Sequence, residues 1–418
     1  MVLKICFKTS AAKIVVVCRV RKDSCTAEMG PIRVALIGLS SGSTTSWAAQ
    51  GHLPYLLSSR GKSHYEIVAL LNTSANSAEA AKKYFSLSPS VKAYGSPGDL
   101  AADPDIDLVV CITRVDKHYS TVKPSIEAGK AVYVEWPITE NYQRALDLTG
   151  GNRLDNSIGG LQGRFSPVAI KVKEILASGR IGRVLSSDIR AFAALFRRDA
   201  LPESLAYFAD RKIGDSPLTI KYVHTIDIVH DVLGEFDSFE SRMQIQRPTI
   251  ALVDNDGKQT GTVTSDVPDF VAVHGSLEKS EKDRVVDGAT LAVTFRAGEP
   301  FKGKPAFTWT INGERGEILV TSVKGPYLHS DSYVDPITIE VHDHSTDEVI
   351  DIEWDWEDWQ KDLPVRSRIV AQIYERYARW VEKGRPISVS EEDQWPRLHD
   401  AVARHKDLET LFQQYDGH

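Results

Sequence analysis

Residues 106–139 read IDLVVCITRVDKHYSTVKPSIEAGKAVYVEWPIT, and they decide the fold. The apolar run Ile106–Ile112 has no polar alternation, as a strand buried on both faces requires. A polar turn follows at Thr113. Then comes a helix-compatible stretch that ends at Gly129, a residue suited to a left-handed helix stop. A second apolar run, Ala131–Val134, delivers Glu135-Trp136-Pro137 to its end. Strand, crossover helix and strand in this order make a βαβ unit, whose two strands are parallel.

The same pattern extends upstream. RVALIGL, from Arg33, is a buried strand followed by a Gly/Ser/Thr loop, Leu39–Ser46, and by a helix through WAAQGHLPYLL. YEIVALL is the next strand, and Asn76 with Glu79 is expected to open the helix after it as a capping box. Alternation of this kind predicts a doubly wound parallel sheet with its ligand beyond the C-terminal strand ends.

The loop GLSSGSTTS is a degenerate phosphate-binding loop. Gly38, Leu39, Ser40, Ser41 and Gly42 follow the first strand and precede a helix, where backbone N–H groups can cradle a pyrophosphate. A Ser-rich turn is the bland alternative. At the end of the second strand, where NAD-specific proteins place an acid on the ribose, stand Asn72 and Thr73. No carboxylate repels a 2′-phosphate there and no arginine invites one, so NAD and NADP both stay open.

At 418 residues the chain suits two domains, each long enough to bury its own core. Its formal charge of −7, without a basic block, disfavours direct nucleic-acid binding. No apolar run approaches the roughly 20 residues of a membrane span. Cys6, Cys18, Cys25 and Cys111 form no CxxC pair, and VHDH, Val341–His344, lacks a third spaced ligand, so no metal is expected.

Residues 1–29 look foreign to the rest, and three readings stay open for this leader. It is an upstream start with Met29 as the working initiator, which is favoured, or a mitochondrial targeting segment, or an extra edge strand.

Beyond Gly182, ATLAVTFRAG and FTWTINGERGEILVTS alternate with period 2 and read as antiparallel strands, the latter hinged at Asn312-Gly313. GKQTGTVTSDVPDF and LEKSEKDRVVDG read as polar loops. In DIEWDWEDWQ, a strand end passing into a helix, the indoles are expected inward. Val365, Ile369, Ile373, Tyr377 and Trp380 mark an amphipathic helix, and Ser390 with Asp393 is expected to cap a last one.

Residues 106–139, LQGRFSP (Leu161–Pro167) and YVHTIDIVHDVLGE (Tyr222–Glu235) together resemble the glucose–fructose oxidoreductase / inositol dehydrogenase / MocA family. The likeness runs from about Pro31 to the C-terminus. It is nearest to the branch of the fungal repressor of galactose and lactose genes and its paralogues. The resemblance implies a Rossmann NAD(P)-binding domain over 30–160 and a domain with a large open, mostly antiparallel sheet over 161–362. It further implies helices over 363–418 that pack back on the first domain. Thr113, Arg114, His118, Glu135, Trp136 and Arg164 then join the cofactor-binding positions, with the indole of Trp136 against the nicotinamide.

The family's catalytic members carry a lysine within Glu-Lys-Pro, an aspartate, and a histidine four residues after it. Here the histidine is His224, whereas the lysine falls on Trp136 and the aspartate on Ile220. Indole donates only and Ile cannot donate at all. His224 is therefore the expected acid/base, with Lys221 one helical turn away and able to depress its pKa.

Two functions fit. One is an NAD(P)-dependent oxidoreductase acting on a small sugar-like, polyol or carbonyl metabolite, favoured by fold frequency. The other is a non-catalytic dinucleotide-sensing regulator that holds a transcription activator. For either, the family resemblance implies a homodimer through the C-terminal sheet. The expected location is cytoplasmic, nuclear for a regulator, or mitochondrial only if the leader is a transit segment.

Overall fold

The computed structural model describes residues 30–40, 42, 46–150, 154–194, 197–279 and 284–417. The leader and Ser41 lie outside the described residues.

Six strands form the first sheet: β1 (Ile32–Ile37), β2 (Tyr65–Leu71), β3 (Lys92–Tyr94), β4 (Leu108–Cys111), β5 (Ala131–Glu135) and β6 (Ile158–Gly160). Their order is β3-β2-β1-β4-β5-β6, with every pairing parallel. All of β4 and β5 is buried, because helices cover both faces. The helix Val115–Glu127 makes the crossover from β4 to β5 and closes where Gly129 N–H bonds Ile126 O. The chain order reverses between β1 and β4, so the strand ends open a crevice there.

The second sheet has eight strands: β7 (Val184–Ala193), β9 (Phe236–Gln244), β12 (Phe270–Leu277), β13 (Val285–Ala297), β14 (Phe307–Gly313), β15 (Gly316–Ser322), β16 (Ile337–Asp343) and β17 (Glu348–Asp351). The remaining three, β8 (Ala200–Pro202), β10 (Thr249–Val253) and β11 (Gln259–Thr264), form a satellite sheet. In the large sheet only β7 and β13 run parallel; every other neighbouring pair is antiparallel.

Two helices return to the first domain. In Val365–Glu382, Tyr374 stacks on Tyr55 with ring centroids 5.5 Å apart. The Tyr65 hydroxyl donates to Tyr374 O at 2.7 Å. Ahead of the helix Leu398–Asp416, Trp395 Nε1 donates to Ser157 O at 2.8 Å. No helix among the described residues is long and apolar enough to cross a membrane.

Several local expectations are corrected. Ser74, not Asn76, caps the helix Ala75–Tyr84, because its hydroxyl accepts the Ser77 N–H and Ser77 returns the bond. The helix over 47–57 carries a π-turn, Ala48–His52, where Leu53 N–H reaches back to Ala48 O just before Pro54, which has no N–H to give. The β14–β15 turn is Glu314-Arg315. Asn312 and Gly313 instead pair with Ser186 and Val184 of β7. QTGTVT is strand β11, not a loop; its exposed residues disguise it as polar coil. Within VHDH, His342 lies on β16. Ser390 and Asp393 bond each other at a separate 3₁₀ turn, and Asp400 with Arg397 opens the last helix.

Candidate active-site cleft

A cavity of about 480 Å³ lies at the C-terminal strand ends, between the first domain and the second. Gly38 ends β1 with φ +98°, and a Cβ there would come within 2.8 Å of Ile112 O and Thr113 Cγ2. Only glycine fits both the backbone and the space. The turn is pinned from outside: Asn72 Nδ2 donates to Leu39 O at 2.9 Å and to Ser77 O at 3.3 Å. Asn72 therefore shapes the loop, while Thr73 is exposed and shares a hydrogen bond with Ser77. The left-handed, side-chain-free approach at Gly38 is the cradle a dinucleotide needs, with Ser40 beside it in the lining. Gly42 is exposed and open, and Leu39 is core.

His118 is buried with its ring nitrogens 2.9 Å from Pro137 O and 2.8 Å from Thr113 O. It ties the β4 turn to the β5 turn, and burial pushes its pKa down. Glu135 Oε1 lies 2.9 Å from His52 Nε2, whose Nδ1 lies 2.8 Å from the Tyr374 hydroxyl. Arg114 pairs with Asp116 at 2.6 and 2.7 Å and lies over the Tyr207 ring, 5.0 Å from its centroid. Arg114, His118 and Glu135 line the cleft along its first-domain side.

Trp136 also lines it, but its ring is only partly given to the cavity. Its Nε1 donates to Thr219 O at 2.8 Å, and the ring packs on His405 at 4.6 Å. The side chain is 5% exposed, so it clamps the strand end to the second domain.

Arg164 is not brought to the cleft. Its guanidinium is held by Asp227 at 3.0 and 2.7 Å and by Asp400 at 3.1 Å. A bidentate pair of this kind uses the donors a cofactor would need, and it joins the helix Val223–Leu233 to the last helix. The expectation of a cofactor contact there is corrected.

The second domain contributes the helix Val223–Leu233 and the π-turn Leu218–Tyr222 before it. His224 and Lys221 both face the cavity. His224 stacks on His329 with centroids 4.0 Å apart and planes at 13°. Burial alone brings the His224 pKa down to about 3, so Lys221 is not its cause, contrary to expectation. Lys221 acts instead on His329, whose pKa falls by burial first, with the Lys221 and Arg366 cations adding to it. Both imidazoles are neutral at ordinary pH. Lys221 Nζ sits 5.3 Å from the Tyr327 ring centroid, and burial lowers its pKa to about 7 against the pull of Asp331.

Sequence reasoning missed Asp215. Gly214, at φ +76°, packs so tightly on Glu140 that a Cβ would meet its carbonyl oxygen at 2.5 Å. That contact sets Asp215 in the cleft wall. Burial raises its pKa to about 7, with Arg114 opposing. The signal in GDSP was a turn glycine before an acid, too common to single out. His329 and Asp331, from YLHSD, were missed as well; Asp331 holds Arg366 at 2.6 and 2.9 Å.

Comparison with known proteins accords with this geometry. Residues 32–150 match the oxidoreductase family with an NAD-binding Rossmann fold, and residues 167–322 match the C-terminal domain of Gal80p. The chain is 32% identical to the dehydrogenase aclE of Aspergillus oryzae over 71% of its length and 78% of the relative's. It is 28% identical to the galactose/lactose metabolism regulatory protein GAL80 of Kluyveromyces lactis, over 71% of this chain and 65% of that one. In fold it is similar to a super-repressor mutant of Gal80p from Saccharomyces cerevisiae, with TM-score 0.78, 21% identity and coverage of 92% and 96%. A levoglucosan dehydrogenase solved with NADH and levoglucosan shares the fold too, with TM-score 0.67, 17% identity and coverage of 92% and 98%. The chain therefore belongs to the NAD-binding oxidoreductase family of glucose–fructose oxidoreductase, inositol dehydrogenase and MocA, and it carries a Gal80-like C-terminal domain.

Proposed function

We propose that the protein is an NAD(P)-dependent oxidoreductase that interconverts a carbinol and a carbonyl of a small metabolite, with Lys221 as the acid/base. One observation carries this reading: a buried ammonium with a pKa of about 7 lines the same cavity as the dinucleotide-binding strand ends. A proton-transfer group works best with a pKa near the working pH, and burial is what tunes a lysine there. Gly38, Ser40, Thr113, Arg114 and Glu135 would hold the dinucleotide. Bound nicotinamide supplies a hydride acceptor or donor.

In the oxidation direction, neutral Lys221 Nζ takes the hydroxyl proton as the carbinol carbon gives up its hydride. The neutral pair His224 and His329 orients the substrate oxygen, because a ring with a pKa near 3 cannot serve as a proton store. The family's lysine at the strand end is thus replaced in function by a lysine from the opposite wall.

A second reading is favoured by Trp136 itself, which removes the usual acid, and by the similarity to GAL80. On that reading the cleft senses a dinucleotide while the protein engages a transcription activator. The oxidoreductase reading carries a cytoplasmic homodimer built on the large sheet, and the regulator reading a nuclear one. Turnover of NAD+ or NADP+ with a carbinol panel separates the two: Lys221→Met lowers it about 10²–10⁴-fold in an enzyme, and a regulator shows binding without any turnover.

A further inference from the structure

The second-domain wall of the cleft sets an apolar, ring-rich patch beside its polar groups Asp215, Lys221, His224 and His329. Leu201, Leu205 and Phe208 form a buried apolar cluster of their own, with Tyr207 and Ile220 packed on it. Four of these five, Leu205, Tyr207, Phe208 and Ile220, line the cavity, and Tyr327 continues the aromatic surface. The cluster rests on the satellite sheet, with β8 carrying Leu201 and β10 carrying Ile250 and Leu252, also packed on it. The small sheet thereby holds a ring-rich wall against the cavity.

The polar groups on the other walls are largely engaged with one another. Arg114 is held by Asp116, Glu135 by His52, and Arg366 by Asp331. On the second-domain side of the lining, the buried atoms His224 Nδ1, His329 Nδ1 and Gln162 Oε1 have no hydrogen-bond partner among the described residues. These residues are 4%, 6% and 1% exposed. Unpartnered polar atoms are rare in native interiors, and several in one cavity call for a ligand that completes them. With Lys221 they gather hydrogen-bonding groups at one end of the cavity, opposite the apolar patch, where a single oxygen function of a ligand can be met.

We infer that the substrate of this cleft is a cyclic, largely apolar alcohol or ketone, aromatic or alicyclic, with a single reacting oxygen. Its ring lies on Leu205, Tyr207, Phe208 and Ile220. Its oxygen meets Lys221 and the stacked pair His224 and His329. The inference rests on the oxidoreductase reading and narrows it away from sugars and polyols. The balance is that of any carbinol oxidation: the C–H pair leaves as hydride to a nicotinamide dinucleotide and the O–H proton passes to Lys221 Nζ, while ketone reduction takes both back.

The test is calorimetric titration of the full chain, saturated with NADH or NAD+, with α-tetralone, α-tetralol, myo-inositol and D-xylose. Turnover of the same four is followed in parallel. The bicyclic pair is expected to bind and the two polyols not. Tyr207→Ser and Ile220→Ser, both at half-buried positions, are each expected to weaken α-tetralone binding about tenfold, and Ile220→Ser to do so with NADH affinity unchanged. Bicyclic binding without hydride transfer would uphold the ligand class and defeat the oxidoreductase reading. Turnover of myo-inositol or D-xylose with no bicyclic binding would do the reverse. Absence of bicyclic binding in every form, or equal binding by wild type and both variants, overturns the inference.

Discussion

Trp136 donates its indole N–H to the main-chain carbonyl of Thr219 at 2.8 Å, across the boundary between the β5 strand end and the turn that carries Lys221. The residue that removes the family's acid from the strand end thus anchors the segment that brings another cation to the cleft. Trp136→Phe keeps the packing on His405 but leaves a buried carbonyl without its donor. The expected cost is about 1–3 kcal/mol in urea unfolding. Trp136→Lys buries an ammonium in the same place, so it should lower stability by about 3 kcal/mol or more and raise no turnover. A gain of activity in that variant would show the strand end to be the true seat of the acid.

Arg164 is predicted to matter for stability and not for the cofactor. Arg164→Met leaves Asp227 buried, with Arg404 only at 4.0 Å. Breaking such a pair costs about 3–5 kcal/mol. Denaturant unfolding should register that loss, while fluorescence titration finds NADH affinity within about twofold of wild type, the range of effects without direct contact.

Asp215 gives a pH dependence with a defined sign. Its folded pKa is raised to about 7, whereas the unfolded value is about 3.9. Between those values the folded state binds more protons, so this group makes stability fall as pH rises from about 4 to 7. Asp215→Asn should therefore stabilise the protein at pH 7 by on the order of 2 kcal/mol and leave it nearly unchanged at pH 4. Melting curves at the two pH values decide it, and a variant destabilised equally at both would contradict the account.

The parallel sheet was legible because β4 and β5 are continuous apolar runs, and runs of that kind survive only with both faces covered. Gly38 was legible because a strand end places it by local geometry, whereas Glu135 and His224 were legible through the family resemblance and Lys221 through its place one helical turn from His224. The rest depended on contacts far apart in sequence. Nothing local reveals that Arg164 is consumed by Asp227, or that His329 stacks on His224. The satellite strand β11 hid because its residues are mostly exposed, so it lacks the apolar alternation by which strands are recognised. Asp215 hid because its raised pKa comes from burial, which no motif records.

The sharpest test of Lys221 as acid/base is the pH profile of carbinol oxidation, followed as the absorbance of reduced nicotinamide, in wild type and Lys221→Met. The account predicts that wild-type kcat/KM climbs through pH of about 7 as the ammonium loses its proton, and that ketone reduction falls over the same range. It predicts that Lys221→Met loses about 10²–10⁴-fold in rate while dinucleotide affinity holds. Tight dinucleotide binding without turnover of any carbinol or ketone, or a Lys221→Met enzyme with an unaltered rate and profile, would contradict it.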